Sequence, residues 1–224
     1  MKRILVLAIM VVLMAGCSDD DGVSGKKLYL KSMYLLSTGG NGSEYDFTYN
    51  DEKQLTGIST GGGNIDITYE DNRLKSMIDP KDGSGYEFSY VDGILSSINN
   101  AGTAYDVVYD SADRKYTIAG MESEFELTKN NDIAVVRTLG ANPDAIPYTY
   151  NDKNKGGLYN LTTDYNFLIF YLLKSPFMVS RMPLSSYGIY TVNNTYNSDG
   201  YVTRADFMGG TQLIASFTYE YQEL

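Results

Sequence analysis

Tyr45-Asp46-Phe47-Thr48-Tyr49 alternates aromatic and polar side chains over five positions, the period-two pattern of a strand with one buried face. The cadence returns in Ile65-Asp66-Ile67-Thr68-Tyr69, Tyr86-Glu87-Phe88-Ser89-Tyr90 and Tyr105-Asp106-Val107-Val108-Tyr109, and Phe125-Glu126-Leu127-Thr128-Lys129 reads as a fifth copy. The closing positions Tyr49, Tyr69, Tyr90, Tyr109, Lys129 and Tyr150 lie 20, 21, 19, 20 and 21 residues apart, so the chain carries an internal repeat. Asn, Asp and Gly follow each strand, and these residues tolerate the left-handed backbone of a tight turn. A Leu-x-x-Ile segment then returns, as in Leu55-Thr56-Gly57-Ile58 and Leu95-Ser96-Ser97-Ile98. Each repeat therefore predicts a β-hairpin. Leu and Ile three apart would face opposite sides of an ideal strand, so the return strand needs a bulge or a Leu folded under the turn.

Hairpin after hairpin gives an all-β antiparallel meander, and one this long has to curl, split or close to protect its edges. Residues 28–150 hold about twelve strands at this spacing, and 185–221 supply three or four more. Between them the alternation stops. Residues 164–173, Asp-Tyr-Asn-Phe-Leu-Ile-Phe-Tyr-Leu-Leu, are apolar almost all round, with Thr162, Thr163 and Asp164 as caps before them and Ser175-Pro176 after. A helix without a polar face belongs inside something, so the pattern predicts one apolar helix over 162–174 plugging or capping a curled, barrel-like sheet. A buried central strand is the alternative for a run of this length.

The N-terminus is an address. Met1-Lys2-Arg3 precedes an apolar run, Ile4 to Leu13, that is too short to span a bilayer. Met14-Ala15-Gly16-Cys17 resembles the bacterial lipobox, with Met where Leu is usual, and Cys17 is the chain's single cysteine. Residues 1–16 then read as a lipoprotein signal peptide, Cys17 as the lipid attachment, 17–27 as an acidic tether and 28–224 as one β-repeat domain. Ser18, Asp19, Asp20 and Asp21 resemble the surface-export signal of Bacteroidetes lipoproteins, which implies the outer leaflet of the outer membrane.

Removing residues 1–16 takes away Lys2 and Arg3 and leaves 16 basic against 28 acidic side chains, a net charge of −12. A chain this acidic is repelled by nucleic acid, so no nucleic-acid partner is expected and the membrane is met only through the lipid. With no His and one Cys there is no imidazole base, no Ser-His-Asp triad and no thiolate metal cage. No metal or cofactor is expected. Gly61-Gly62-Gly63 lacks the Lys and the helix of a phosphate loop, and no segment fits the twelve-residue calcium loop.

The Tyr-x-Tyr-Asn-Asp-x-x-x-x-Leu-x-x-Ile cadence resembles the YD repeats of Rhs-type and teneurin-type shells. Taken with the acidic tether, the apolar segment, Leu172-Leu173-Lys174-Ser175-Pro176 and Arg181-Met182-Pro183-Leu184, the chain is similar to uncharacterised Bacteroidetes lipoproteins with a porin-like fold. That resemblance implies a fold and a location and no activity. The strands argue against a lipid-facing pore, which needs runs of about 9–11 residues with an apolar outer band.

Recurrence gives Asp46, Asp66, Glu87, Asp106 and Glu126 a structural place on the solvent face. A glycosidase pair would have to come from Glu122, Asp144, Asp164 or Asp206, and spacing selects none of them. Tyrosine suits sugar stacking and protein contacts. The repeat tyrosines read as core, which leaves Tyr165, Tyr187 and Tyr190, with Arg181 and Arg204, as candidate contacts for a glycan or a surface protein. A binding module predicts a concave end lined by such residues, an assembly subunit an open sheet edge, and an enzyme two close carboxylates in a cleft.

Overall fold

The computed structural model describes residues 26–40, 42–139, 143–173 and 179–224. The first twelve strands are β1 (Tyr29–Ser37), β2 (Gly42–Tyr49), β3 (Leu55–Thr60), β4 (Gly63–Glu70), β5 (Arg73–Ile78), β6 (Gly85–Val91), β7 (Ile94–Asn100), β8 (Thr103–Asp110), β9 (Lys115–Ile118), β10 (Ser123–Leu127), β11 (Ile133–Thr138) and β12 (Asp144–Tyr150). A short helix α1 (Asn166–Leu172) precedes β13 (Leu184–Tyr187), β14 (Tyr190–Tyr196), β15 (Val202–Gly209) and β16 (Gln212–Gln222). Every strand pairs antiparallel with its neighbour in sequence, and β1 pairs with β16 from Tyr29↔Gln222 to Ser37↔Ala215. The meander is a closed barrel of 16 strands. Closure leaves no sheet edge among the described strands.

The left-handed turns fall where Asn, Asp and Gly stand. Asp71 and Asn72 join β4 to β5 with φ of 49° and 61°, and Asp92 and Gly93 join β6 to β7 with φ of 51° and 79°. The Leu-x-x-Ile spacing is resolved by a bulge. Tyr49 faces Leu55 while Thr48 faces Gly57, so Thr56 is an extra residue and both Leu55 and Ile58 turn inward, buried. The same shift recurs opposite Tyr69, Tyr90, Leu127, Tyr150 and Tyr196. Leu127 thus takes the closing position in the fifth copy, two residues before the expected Lys129, which is exposed in the turn.

A bulge frees a backbone carbonyl, and the repeat tyrosines use it. Tyr49 Oη donates to Leu30 O (2.7 Å), Tyr90 to Leu74 O (2.5 Å), Tyr150 to Ile133 O (2.6 Å) and Tyr221 to Val202 O (2.8 Å). Each acceptor is the residue just before a bulge on the neighbouring hairpin. Left unmade, a bond of this kind would cost about 1–3 kcal/mol per buried group. Burial holds the hydroxyls of Tyr49, Tyr90 and Tyr221 well above the ordinary phenol range, so they remain donors at any physiological pH.

The outer wall faces water. Thr68, Ser76, Glu87 and Asn99 stand side by side across β4 to β7, as do Thr149, Ser186 and Thr191 across β12 to β14 and Asn193, Asp206 and Ser216 across β14 to β16. Hydrogen bonds link neighbours along these rows, Thr68 with Ser76 (2.6 Å), Thr149 with Ser186 (2.7 Å) and Ser216 to Asp206 (2.6 Å). Asp46, Asp66, Glu87 and Asp106 are exposed as expected, and Glu126 is half-buried in a bond with Arg137. Tyr34, Leu36 and Val108 are exposed apolar side chains on this wall, too few to make a lipid-facing band.

The turn between β12 and β13 is replaced by a long insert, whose described residues 151–173 and 179–183 lie over one mouth of the barrel. Lys155 N–H donates to Gly200 O, Asn160 Nδ2 to Leu28 O, Asp164 N–H to Asn72 O and Tyr165 Oη to Gly93 O, so the insert touches one strand connection after another. Leu158, Leu161, Leu168 and Ile169 are buried beneath it, and the rings of Phe167 and Tyr171 lie 5.5 and 5.0 Å from Phe125. The apolar run is therefore a plug and not a strand. Its helix is shorter than expected, starting at Asn166 and not at 162, because Asp164 is held as a bridge partner of Arg73 and Tyr165 is left-handed at φ 66°. Thr162, Thr163 and Asp164 do not cap it, and no side chain does.

Candidate functional site

The two mouths of the barrel differ. At the insert end a small recess is lined by Asp132, Tyr150, Thr163, Asp164, Tyr165, Asn166 and Arg181 among others. This is the concave end with Tyr and Arg from outside the repeats that a binding module predicts. Its polar groups, however, are spent on the chain itself. Asp132 accepts the N–H groups of Arg181 (2.6 Å) and Met182 (3.0 Å), and Arg181 Nη1 donates to Leu161 O (2.9 Å). Asn166 Nδ2 donates to Thr163 O (2.8 Å) and Oγ1, Tyr150 is bonded to Ile133 O, and Tyr165 Oη both donates to Gly93 O (3.0 Å) and accepts from Leu95 N–H (3.1 Å). The recess holds the insert in place.

The far mouth is rimmed by the first positions of the repeat strands. Tyr45, Ile65, Tyr86 and Tyr105 pack on the core but stay half-buried, because no insert among the described residues covers this end. Tyr187 and Tyr190 flank the β13 to β14 turn at the same end, their rings stacked at 6.3 Å and 12°, with Tyr148 at 5.1 Å from Tyr187. The hydroxyls of Tyr45, Tyr86, Tyr105 and Tyr190 make no hydrogen bond to a described residue, in contrast to the bulge-bound tyrosines of the insert end. The Tyr105 ring lies over Gly120, where an added Cβ would collide with Cδ1 of the ring. Flat rings with polar tips at an open mouth are what a sugar face or an extended peptide packs on.

The sequence-derived candidates separate into three places. Tyr165 and Arg181 meet at the insert end and are structural there. Tyr187 and Tyr190 share the far rim. Arg204 stands on the outer wall of β15, its Nε donating to Asp206 Oδ1 (2.8 Å). Of the four carboxylates considered for hydrolysis, Glu122 in the turn before β10 and Asp144 at the start of β12 stand at the far mouth two strands apart, whereas Asp164 lies in the insert and Asp206 on the outer wall. Cys17 and Ser18 to Asp21 lie outside the described residues. Sequence reasoning passed over Tyr45, Tyr86 and Tyr105, since a repeat position reads as core. The signal that separates them is order along the strand, because every first position falls at the uncovered mouth.

No family model and no curated protein matches the chain. Among solved structures it is similar to a porin-like protein from Bacteroides uniformis ATCC 8492, with a TM-score of 0.51 over 86% of this chain and 98% of that one, at 14% identity. The shared feature is the fold. The resemblance drawn from the hairpin repeats thus holds at the level of a porin-like barrel.

Proposed function

We propose that the chain is an outer-membrane lipoprotein of the Bacteroidetes type, anchored through Cys17 and facing the exterior, whose barrel is a non-enzymatic binding module for a glycan or protein segment. The observation that carries the reading is the far rim, where the rings of Tyr45, Tyr86, Tyr105 and Tyr190 pack on the core on one side and stay half-exposed on the other, with hydroxyls that make no hydrogen bond to a described residue. The polar outer wall supports attachment through a lipid, since a barrel that presents Ser, Thr, Asp and Glu outward gains nothing from entering hydrocarbon. The YD-like repeat and the Bacteroides origin of the similar structure favour the same setting. A structural or assembly role is the alternative, and the closed barrel weakens it by leaving no edge strand to extend.

Native gels cast with soluble polysaccharides test the reading. Retardation of the barrel in one gel, lost in a Tyr105→Ala/Tyr187→Ala double variant and kept in Arg181→Ala, is the expected result. Retardation lost only with Arg181→Ala would move the site to the insert end. Release of reducing sugar by the wild-type barrel would overturn the non-enzymatic reading.

A further inference from the structure

We infer that the insert end of the barrel rests on the lipid surface and the tyrosine rim points away from it. The inference rests on the lipid attachment at Cys17 proposed above and starts from where the chain joins the barrel. Leu28, which leads into β1, is clamped beside the insert, its N–H donating to Tyr201 Oη (3.3 Å) and its C=O accepting from Asn160 Nδ2 (2.8 Å). Eleven residue steps separate Cys17 from Leu28, at most about 40 Å of chain when fully drawn out. The 9-residue β1 alone runs about 30 Å along the wall. To set the rim on the bilayer, the tether would have to double back along the height of the barrel and spend more than half of that reach.

The insert end also has side chains suited to the interface. Val91 and Ile94 pair across the Asp92-Gly93 turn and are 61% and 43% exposed, and Tyr159 is 39% exposed beside Lys155. Aliphatic tips and an amphipathic ring are what the headgroup region accepts. Apolar exposure alone does not choose the end, since Ile189 at the rim is 86% exposed. The tether chooses it, because the chain enters the barrel at Leu28 beside the insert.

The test uses the full lipidated chain with a single introduced thiol, Ile94→Cys or Ile189→Cys, labelled with a fluorophore. Both positions are exposed, so neither change disturbs packing. The protein is placed on vesicles of phosphatidylethanolamine and phosphatidylglycerol carrying a headgroup quencher. The expected result is quenching several-fold stronger at position 94 than at 189. Equal quenching, or stronger quenching at 189, on vesicles that the protein co-floats with would overturn the orientation and leave the anchor standing. Failure of the wild-type chain to float with the vesicles would overturn the anchor and the orientation with it.

Discussion

Tyr69 Oη donates to Asn166 Oδ1 at 3.1 Å, across 97 residues of chain. Its counterparts Tyr49, Tyr90, Tyr150 and Tyr221 donate to a bulge carbonyl of the neighbouring hairpin. Tyr69 has exchanged that partner for the insert. Asn166 is buried, and its amide nitrogen is held by Thr163, so the pair joins the first turn of α1 to β4.

Tyr69→Phe should therefore destabilise the barrel by about 1–2 kcal/mol, the loss of one hydrogen bond plus a buried acceptor left short. Tyr45→Phe at the rim, whose hydroxyl meets no described residue, should stay within about 0.5 kcal/mol. Urea unfolding of the two variants compares them directly. Equal losses would mean that the rim hydroxyls are as engaged as those at the insert end.

Leu168 is fully buried on α1, between the insert and the barrel interior. Leu168→Ala should cost about 2–5 kcal/mol, the transfer free energy of the lost atoms plus a cavity that a closed barrel cannot collapse. A loss under about 1 kcal/mol, well short of the usual core penalty, would place the helix on the surface and not in the mouth.

Adjacent residues on β4 test the two faces of the wall. Asp66 is exposed and Ile67 is buried, paired with Met77. Asp66→Asn should change stability by no more than about 0.5 kcal/mol, whereas Ile67→Ala should cost about 2–5 kcal/mol. The reverse order in thermal or chemical unfolding would turn the barrel inside out and revive the membrane-spanning reading.

The hairpins, the polar wall and the enclosed apolar segment were legible because each follows from a local period: two for the strands, about twenty for the repeat. Closure was not, because the pairing of Leu30 with Tyr221 joins residues with no pattern in common. The bulge was legible only as a dilemma, since Leu55 and Ile58 require a break in alternation without saying where it falls. The mouths were the least legible part. Tyr165 and Tyr187 both stand outside the repeat, yet one is bonded into the insert and the other is at the open rim. Which mouth the described part of the insert between β12 and β13 covers depends on the parity of the strand it follows, a property of the whole count.

Asp132 closes the circuit of the insert, and its charge sets a pH dependence. The residue is 4% exposed; its carboxylate accepts the N–H groups of Arg181 and Met182, while its backbone N–H donates to Thr128 Oγ1. Burial pushes the carboxyl up to about 6, against the pull of those two N–H groups and of the Arg181 charge. Tyr150 faces it as a neutral phenol, kept so by its own burial first and by Asp132 next. In the unfolded chain the carboxyl titrates near the ordinary value of about 3.9. Between these two values the folded state binds more protons, so this group's contribution to stability is present at low pH and is lost as pH rises through about 4 to 6. Two pK units correspond to about 3 kcal/mol. Asp132→Asn cannot titrate, so the stability of the wild type relative to this variant should be greater at pH 4 than at pH 7 by about 2–3 kcal/mol. Urea unfolding of both proteins at several pH values across that window measures the difference, in which the other carboxylates cancel. A difference that stays flat would show that Asp132 ionises as freely in the barrel as in the open chain, and that its bonds to residues 181 and 182 offset its burial in full.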